Sequence, residues 1–253
     1  MVRFVDVLSA EIIKTKRTWN FSFVLLFPMI VTILIFGNYV KNLLGENSSG
    51  NNLWVMYSRV FFQFYYLLYP LLAAVIAFSL SNIEHKNNGF KQIFTFPTSK
   101  FSIYFSKVSI LVFWMFCSLL LAYSLLALSG NGLSYLFPKA GFQDYNINQI
   151  IVTFFLRIFL TLISIISIHF FLSIYWDNFI ISVGSACFFV IFGLVVNKWE
   201  YSYLIPYCNL QKAFTHFFQS GTEVFSKEIL WSIGYSILFF TGGYLAMIKK
   251  SIK

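Results

Sequence analysis

Long apolar runs alternate with short polar stretches along the whole chain. Six of the runs come close to or exceed the roughly 20 residues that an α-helix needs to cross a bilayer. They lie at residues 19–40, 54–82, 101–128, 150–175, 179–196 and 229–248. The pattern predicts an all-α membrane protein whose residues 1–253 form a single domain with six transmembrane helices.

The connections between these runs differ in length and character. Residues 41–53 are polar and turn-forming, and a second polar segment covers 129–148. The turn at 176–178 is so short that the fourth and fifth spans are predicted to be antiparallel neighbours. Residues 197–228 contain apolar stretches that are too short to cross a bilayer, so we expect short helices lying in, or dipping into, the outer interface.

The first 18 residues show helical periodicity without being apolar throughout. Apolar side chains recur at three- and four-residue spacing, at Phe4, Val5, Leu8, Ile12 and Ile13. Most of the charged residues fall elsewhere on the helical wheel. Residues 1–18 are therefore predicted to form an amphipathic helix at the membrane surface. The alternative is a plain basic flank before the first span.

Composition supports a membrane protein. The 253 residues are 58% hydrophobic and only 11% charged, whereas about a quarter of a soluble domain is charged. No stretch is left over for a soluble domain of ordinary size. The three cysteines, Cys117, Cys187 and Cys208, lack CxxC spacing and are expected to be packing residues.

The net charge of +9 comes from Lys and Arg residues that gather at the ends of the apolar runs. With the N-terminus inside, eleven of these cations fall on the cytoplasmic side and five fall in the outside loops. The positive-inside rule therefore favours two cytoplasmic termini. It also places the loop at 84–100 in the cytoplasm. Because the membrane orientation accounts for the positive charge, we do not expect nucleic acid as a partner.

The sequence lacks the common nucleotide-binding, catalytic and metal-binding motifs. There is no GxxxxGK[ST] for a nucleotide, no HExxH, no GxSxG and no His/Cys set with metal-ligand spacing. We therefore expect no enzyme activity, metal or cofactor in this chain. A channel is also disfavoured, because no charged ring or filter-like loop is visible.

A few polar and aromatic residues inside the spans are candidates for a substrate path. Arg157 is either functional or a cation that extends to the outer headgroups. Arg59 fits an interfacial anchor, and His169 fits either a substrate or proton contact or a packing histidine. The second span is dense in aromatics, among them Phe62 and Tyr66, which either line a lateral path for an amphiphilic molecule or face lipid.

The loop EHKNNGFKQIFTFPTSK at 84–100 mixes charge, aromatics, Gly and Pro between two apolar runs. Phenylalanines fill grooves on partners and lysines orient them, so the composition indicates a docking loop. The alternative is a lysine-rich turn at the headgroups. Thr98 or Ser99 is expected to cap the following helix.

The loop and the N-terminal segment resemble the corresponding parts of ABC-2 type permeases, especially those of lantibiotic-immunity exporters. The opening SAEIIKTKRT, with Pro28 in the first span, is similar to the family's amphipathic start. The six-span layout and the lysine-ended tail agree as well. In the loop and the third span, the matching residues are Glu84, Gly89, Phe90, Lys91, Pro97, Thr98, Ser99 and Lys107.

The resemblance implies a transmembrane subunit that works with a separate ATPase, which binds ATP and Mg²⁺. Residues 84–97 would form the coupling helix that sits in a cleft of the ATPase. Its expected contacts are Glu84, His85, Lys86, Gly89, Phe90, Lys91, Phe94 and Pro97. The N-terminal helix would add a second contact through Glu11, Lys14, Lys16 and Arg17. A second copy of the permease, or a similar permease, is expected as a partner.

The expected function is export of a lantibiotic or another amphiphilic, membrane-active peptide from the plasma membrane of a Gram-positive bacterium. Other substrates open to the same family are a drug, a lipid or a secreted toxin peptide. A hypothesis of another class is a membrane scaffold or receptor that transports nothing. Binding of an ATPase separates that hypothesis from the exporter.

Overall fold

A computed structural model describes residues 4–16, 20–45, 53–85, 98–138, 142, 148–220 and 226–250. Within these ranges the chain forms eight α-helices and one short 3₁₀ turn, Ser202–Leu204. The helices are α1 (Phe4–Lys16), α2 (Asn20–Gly45), α3 (Leu53–His85), α4 (Lys100–Leu136), α5 (Asn148–Tyr175), α6 (Phe179–Val196), α7 (Pro206–Ser220) and α8 (Lys227–Lys250).

Six of these helices, α2 to α6 and α8, are long and apolar enough to cross a membrane. The prediction of six membrane helices is confirmed, and the protein is a multi-pass membrane protein. One boundary differs, because α4 continues to Leu136 although the third span was predicted to end at 128. The extra residues remain helical because they pack: Tyr57 donates to Ser129 Oγ at 2.7 Å, and Gly130 lies against the Trp54 ring.

A column of buried aromatic side chains runs along α3. Its members recur at four-residue spacing and therefore share one face of the helix: Tyr57, Phe61, Tyr65 and Tyr69. Phe61 stacks on Tyr65 with ring centroids 4.5 Å apart, and Tyr65 stacks on Tyr69 at 5.2 Å. These four side chains are buried in the core, so lipid contact, one of the alternatives for the aromatics of the second span, does not hold for them.

Polar contacts tie this column to its neighbours α2 and α4. The Tyr65 hydroxyl donates to the Pro28 carbonyl of α2 at 2.9 Å, and Thr32 Oγ1 donates to the same oxygen at 2.7 Å. The Tyr69 hydroxyl lies 3.3 Å from Ser118 Oγ of α4. Because lipid tails are as apolar as a core, close packing and such hydrogen bonds, not water exclusion, hold membrane helices together.

The other half of the bundle is built on α5, whose most extensive contact is with α8. The Tyr104 hydroxyl of α4 donates to the Phe240 carbonyl at 2.6 Å, so α4 is bonded to α8 beside this helix pair. Gly243 leaves room for that hydroxyl, since a Cβ there would lie only 2.7 Å from it.

The fifth span, α6, begins where predicted and is capped by Asn178, whose side chain accepts from the Ile180 amide at 2.8 Å. It touches α5, as the short turn at 176–178 predicted, but packs more extensively against α3. The reason is that α3 and α8 already cover much of α5. The following segment, 197–228, contains the expected short helices, and α7 packs against α5 and α8.

Candidate functional site

Three chain segments that are far apart in sequence meet at one end of the bundle. They are α1, the last turn of α3, and the first turns of α4. The last two flank the connection that contains residues 86–97. Contacts that fix α1 at this position therefore also fix the two helix ends that flank the candidate coupling loop.

Four charged side chains form the contact, and we call them the Glu11 cluster: Glu11, Lys14, Glu84 and Lys107. The Lys107 ammonium donates to Glu11 Oε2 at 2.8 Å and to Glu84 Oε1 at 2.9 Å. Lys14 donates to Glu11 Oε1 at 2.8 Å and to Glu84 Oε1 at 3.1 Å. Two carboxylates and two ammonium groups thus alternate in a closed, neutral set.

Burial differs sharply between the two lysines. The side chains of Lys107 and Glu84 are 3% exposed, and that of Glu11 is 5% exposed. The Lys14 side chain, in contrast, is 38% exposed. A buried charge without its partner is strongly destabilising. Lys107 is therefore the member on which the docking of α1 depends most, and Lys14 closes the cluster from the solvent side.

The cluster also changes the proton affinity of its members on α1. Burial raises the pKa of the Glu11 carboxyl, but the Lys107 and Lys14 ammonium groups lower it by more, so that pKa lies below its ordinary value. Burial lowers the pKa of Lys14, but Glu11 and Glu84 raise it by more, so that pKa lies above its ordinary value. Both shifts keep the groups charged near neutral pH.

Local sequence explains how the charges reach this position. Glu11 and Lys14 are three residues apart on α1 and share a face. That face is turned toward the bundle and includes the buried Thr15, whereas Ile12 and Ile13 are exposed. The inward face of α1 is thus partly charged. The proposed amphipathic placement of α1 at a membrane surface stays a prediction.

The first turn of α4 is fixed by a cap. The Ser99 side chain accepts from the Ser102 amide at 3.1 Å, which confirms one of the two capping residues expected from the sequence. At the end of α3, His85 Nε2 donates to the Ser173 carbonyl of α5 at 2.8 Å, and Ser81 Oγ lies 2.8 Å from Ser173 Oγ. The end of α3 is therefore attached to α1 and α4 through Glu84, and to α5 through His85 and Ser81.

Much of the predicted coupling loop falls outside the described residues. This applies to Lys86, Gly89, Phe90, Lys91, Phe94 and Pro97, and also to Arg17 and the side chain of Lys16. Of the predicted contacts, the structure therefore describes Glu84, His85, Glu11 and Lys14. It brings Glu84, Glu11 and Lys14 together, and it adds Lys107.

The candidate substrate-path residues do not form one site. Phe62 and Tyr66 line a crevice between α3, α4 and α5, together with Tyr65, Leu119, Ala122, Tyr123, Phe155 and Ile158. Arg59 is exposed on α3, and its role as an interfacial anchor stays a prediction. Phe62 also packs against Phe154 of α5 with ring centroids 4.1 Å apart.

Arg157 and His169 lie inside the bundle. Arg157 is 2% exposed, so its side chain does not extend toward lipid headgroups, and that alternative is wrong. His169 is completely buried, and its Nε2 forms a hydrogen bond with the Tyr207 hydroxyl of α7. This contact favours the packing histidine over a substrate contact.

Sequence reasoning missed the pairing of Lys107, which it treated as a lysine entering the third span. The sequence separation of Glu84 and Lys107 corresponds to no helical repeat, because residues 86–97 intervene. The one local signal was the i, i+3 spacing of Glu11 and Lys14. A lysine inside a long apolar helix is a second signal, because such a charge needs a partner.

The comparisons with known proteins agree with this layout. The family described as ABC-2 family transporter protein matches residues 7–193, which includes all of the Glu11 cluster. The search of curated proteins and the search of solved structures gave no match. The matched region covers well over half of the chain, and the family is one of transport subunits without a catalytic domain. The chain therefore belongs to the ABC-2 family of transporters, as a membrane permease subunit.

Proposed function

We propose that this permease is the transmembrane half of an ATP-driven exporter that expels a lantibiotic or another amphiphilic, membrane-active peptide. The observation that carries the mechanism is the Glu11 cluster, because it joins α1 to both ends of the loop at 84–100. The motif resemblance of that loop supports the peptide-exporter subfamily. A drug, a lipid or a secreted toxin peptide is the alternative cargo.

The ATPase is a separate chain in this proposal, and ATP and Mg²⁺ bind there. The Glu11 cluster lies on the cytoplasmic side, with both termini, because the Lys and Arg bias favours that orientation. The loop 84–97 docks in a cleft of the ATPase, and α1 provides a second contact. A displacement of the loop by the ATPase then moves α3 and α4 together, since Glu84 and Lys107 form an ion pair.

A second permease, either an identical copy or a paralogue, completes the transporter in this proposal. Among the membrane-spanning helices, α6 and α8 have the smallest share of buried residues in their apolar stretches, 17% and 22%. Lipid covers whatever part of these faces the partner leaves open. The peptide enters from the membrane, and the crevice lined by Phe62 and Tyr66 supports a lateral path.

The first experiment is affinity purification of the chain from its native cells in mild detergent, followed by mass spectrometry. A stoichiometric P-loop ATPase is expected, with or without a second six-span permease. The complex is then reconstituted in proteoliposomes, and ATP-dependent release of a lantibiotic from the membrane is measured against a small-molecule drug and a lipid. Absence of an ATPase, while a known ABC transporter keeps its own, contradicts the exporter and favours a scaffold.

A further inference from the structure

The crevice between α3, α4 and α5 has a buried floor and a partly exposed rim. All eight of its lining side chains are aromatic or aliphatic. The floor consists of Tyr65, Leu119, Ala122 and Ile158, and the rim consists of Phe62, Tyr66, Tyr123 and Phe155. The Tyr65 hydroxyl donates to the Pro28 carbonyl of α2, so that polar atom is already paired. The crevice is therefore an apolar groove that opens on the outside of the bundle.

The surface beside the crevice is apolar as well. Leu120 on α4 and Leu156 on α5 directly follow lining residues along the chain, and both are exposed. The three walls belong to helices that are long and apolar enough to cross a membrane. In a bilayer, the molecules beside such a surface are lipids. The enclosed space of about 20 Å³ suits a slender acyl chain lying along the crevice better than a folded peptide.

The crevice lies nearer to one end of the bundle than to the other. Tyr57, near the start of α3, donates to Ser129, near the end of α4, and Ser81 and Ser173 pair near the ends of α3 and α5. The helices α3 and α5 therefore begin, and α4 ends, on the same side. Tyr66 lies about 20 Å along the helix axis from the start of α3. A lipid in the leaflet on that side reaches the crevice with its acyl chain.

A cation lies on the same face of α3, between the crevice and that end of the bundle. Arg59 precedes Phe62 by three residues and Tyr66 by seven, so the three share one helix face, and Arg59 is exposed. The rise from Arg59 to Tyr66 is about 10 Å, and helical side chains lean toward the start of their helix. One leaflet contributes about 15 Å of hydrocarbon. The guanidinium is therefore at the height of a headgroup when the crevice holds the chain of the same lipid.

We propose that Arg59 and the crevice together bind one anionic phospholipid, with the phosphate on the guanidinium and an acyl chain in the crevice. Arginine stays charged, and its five N–H donors form a fork that matches a phosphate group. A phosphate therefore binds beside the interaction that Arg59 already makes within the chain. In the proposed exporter, cargo that enters through the crevice displaces this lipid, but lipid binding itself does not rest on export.

The test is photo-crosslinking of the full-length protein in phosphatidylcholine vesicles, without ATP or peptide. The probe is phosphatidylglycerol with a diazirine midway along one acyl chain, and a phosphatidylcholine with the same chain is the comparison. Mass spectrometry measures labelling of the crevice residues 119–123 and 155–158 relative to the exposed Phe188 and Ile191 of α6. We expect stronger labelling at the crevice. Phosphatidylglycerol should exceed phosphatidylcholine there by about fivefold, the factor that one cation contributes near a membrane surface.

Three variants separate the headgroup contact from the chain contact. Arg59→Gln should abolish the fivefold preference for phosphatidylglycerol. Lys198→Gln is the matched control, because it removes an exposed cation at the same end of the bundle, and it should keep the preference. Ala122→Leu places a larger side chain on the floor of the crevice and should lower crevice labelling by both lipids.

Crevice labelling no stronger than that of α6 would overturn the site. Equal labelling by the two lipids, or a preference that Arg59→Gln leaves unchanged, would contradict the role of Arg59 and with it the phospholipid assignment. If Ala122→Leu fails to insert, the Arg59→Gln comparison decides alone, because that position is exposed. Neither cargo nor ATPase takes part, so failure of the export proposal leaves the outcome readable.

Discussion

The ammonium group of Lys107 on α4 lies 2.8 Å from the carboxylate of Glu11 on α1, and both side chains are almost completely buried. A charge pair of this kind links an N-terminal helix to the membrane helix that follows the candidate coupling loop. Glu84, at the other end of that loop, binds the same ammonium group. One buried lysine therefore contacts side chains of two other segments and links all three.

We expect Lys107→Met to destabilise the protein by about 3–5 kcal/mol, because it leaves two buried carboxylates with one partly exposed cation. Lys14→Met is the matched control, since Lys14 contacts the same carboxylates from a position that is 38% exposed. An effect of roughly 0–1 kcal/mol is expected there. Denaturant unfolding in detergent measures the free energy of unfolding of both variants. An equal loss of unfolding free energy in the two would contradict the ranking of the lysines by burial.

The docking of α1 should depend on pH at both ends of the scale. The pKa of Glu11 is lowered, so its contribution is present above the ordinary pKa of 4.5 and is lost as the pH falls through the lowered value. The pKa of Lys14 is raised, so its contribution is complete below 10.5 and is lost as the pH rises through the raised value. Unfolding temperature against pH should fall on both sides, and Glu11→Gln should flatten the acid side and weaken the basic side, because Glu11 also raises the pKa of Lys14.

The loop at 86–97 provides the sharpest test of coupling. If the loop docks in a cleft of the ATPase as proposed, Gly89→Pro or Phe90→Asp should abolish transport while ATP hydrolysis and membrane insertion persist, because either change would spoil that fit. Asn87→Ala, in the same loop, serves as the control and should transport normally. Wild-type transport by both loop variants would refute the coupling-helix assignment.

The crevice between α3, α4 and α5 gives a prediction about cargo binding. Tyr66→Ala should raise the peptide concentration for half-maximal ATPase stimulation by about tenfold, as loss of an aromatic anchor does elsewhere. Phe64→Ala is the control, because Phe64 lies on the same helix and is 47% exposed away from the crevice. If both variants respond alike, the aromatics of α3 act only through lipid contact or stability.

A close approach of two helices makes Gly130 sensitive to a single methyl group. A Cβ at this position would lie 2.0 Å from the Trp54 ring, which is itself fixed by a 2.8 Å hydrogen bond to the Phe142 carbonyl. Gly130→Ala should cost about 1–3 kcal/mol through overpacking. Gly132→Ala, whose nearest neighbour is 3.8 Å away, should instead stabilise α4 by about 0.5–1 kcal/mol, as measured by thermal unfolding.

Sequence patterns served best where a single segment decides the outcome. The short turn at 176–178 and the capping Ser99 are local features, and the structure has both where they were predicted. The end of α4 was misplaced, because a polar stretch remains helical when Tyr57 and Trp54 pack against it. For Arg157 the sequence left two alternatives open; its burial by neighbouring helices, which is not visible in one helix alone, excludes extension to the outer headgroups.

The sequence by itself determined the membrane class and the six spans, because bilayer thickness fixes helix length and hydrocarbon excludes unpaired backbone groups. The family followed from the motifs of the loop at 84–100 and of the N-terminal segment. Only the tertiary structure decided which charges meet. Glu11, Glu84 and Lys107 lie on three helices, and nothing in their spacing brings them together. Their pairing follows from the packing of α1 against α4, where the buried Lys107 is paired with two carboxylates and would be strongly destabilising without a partner.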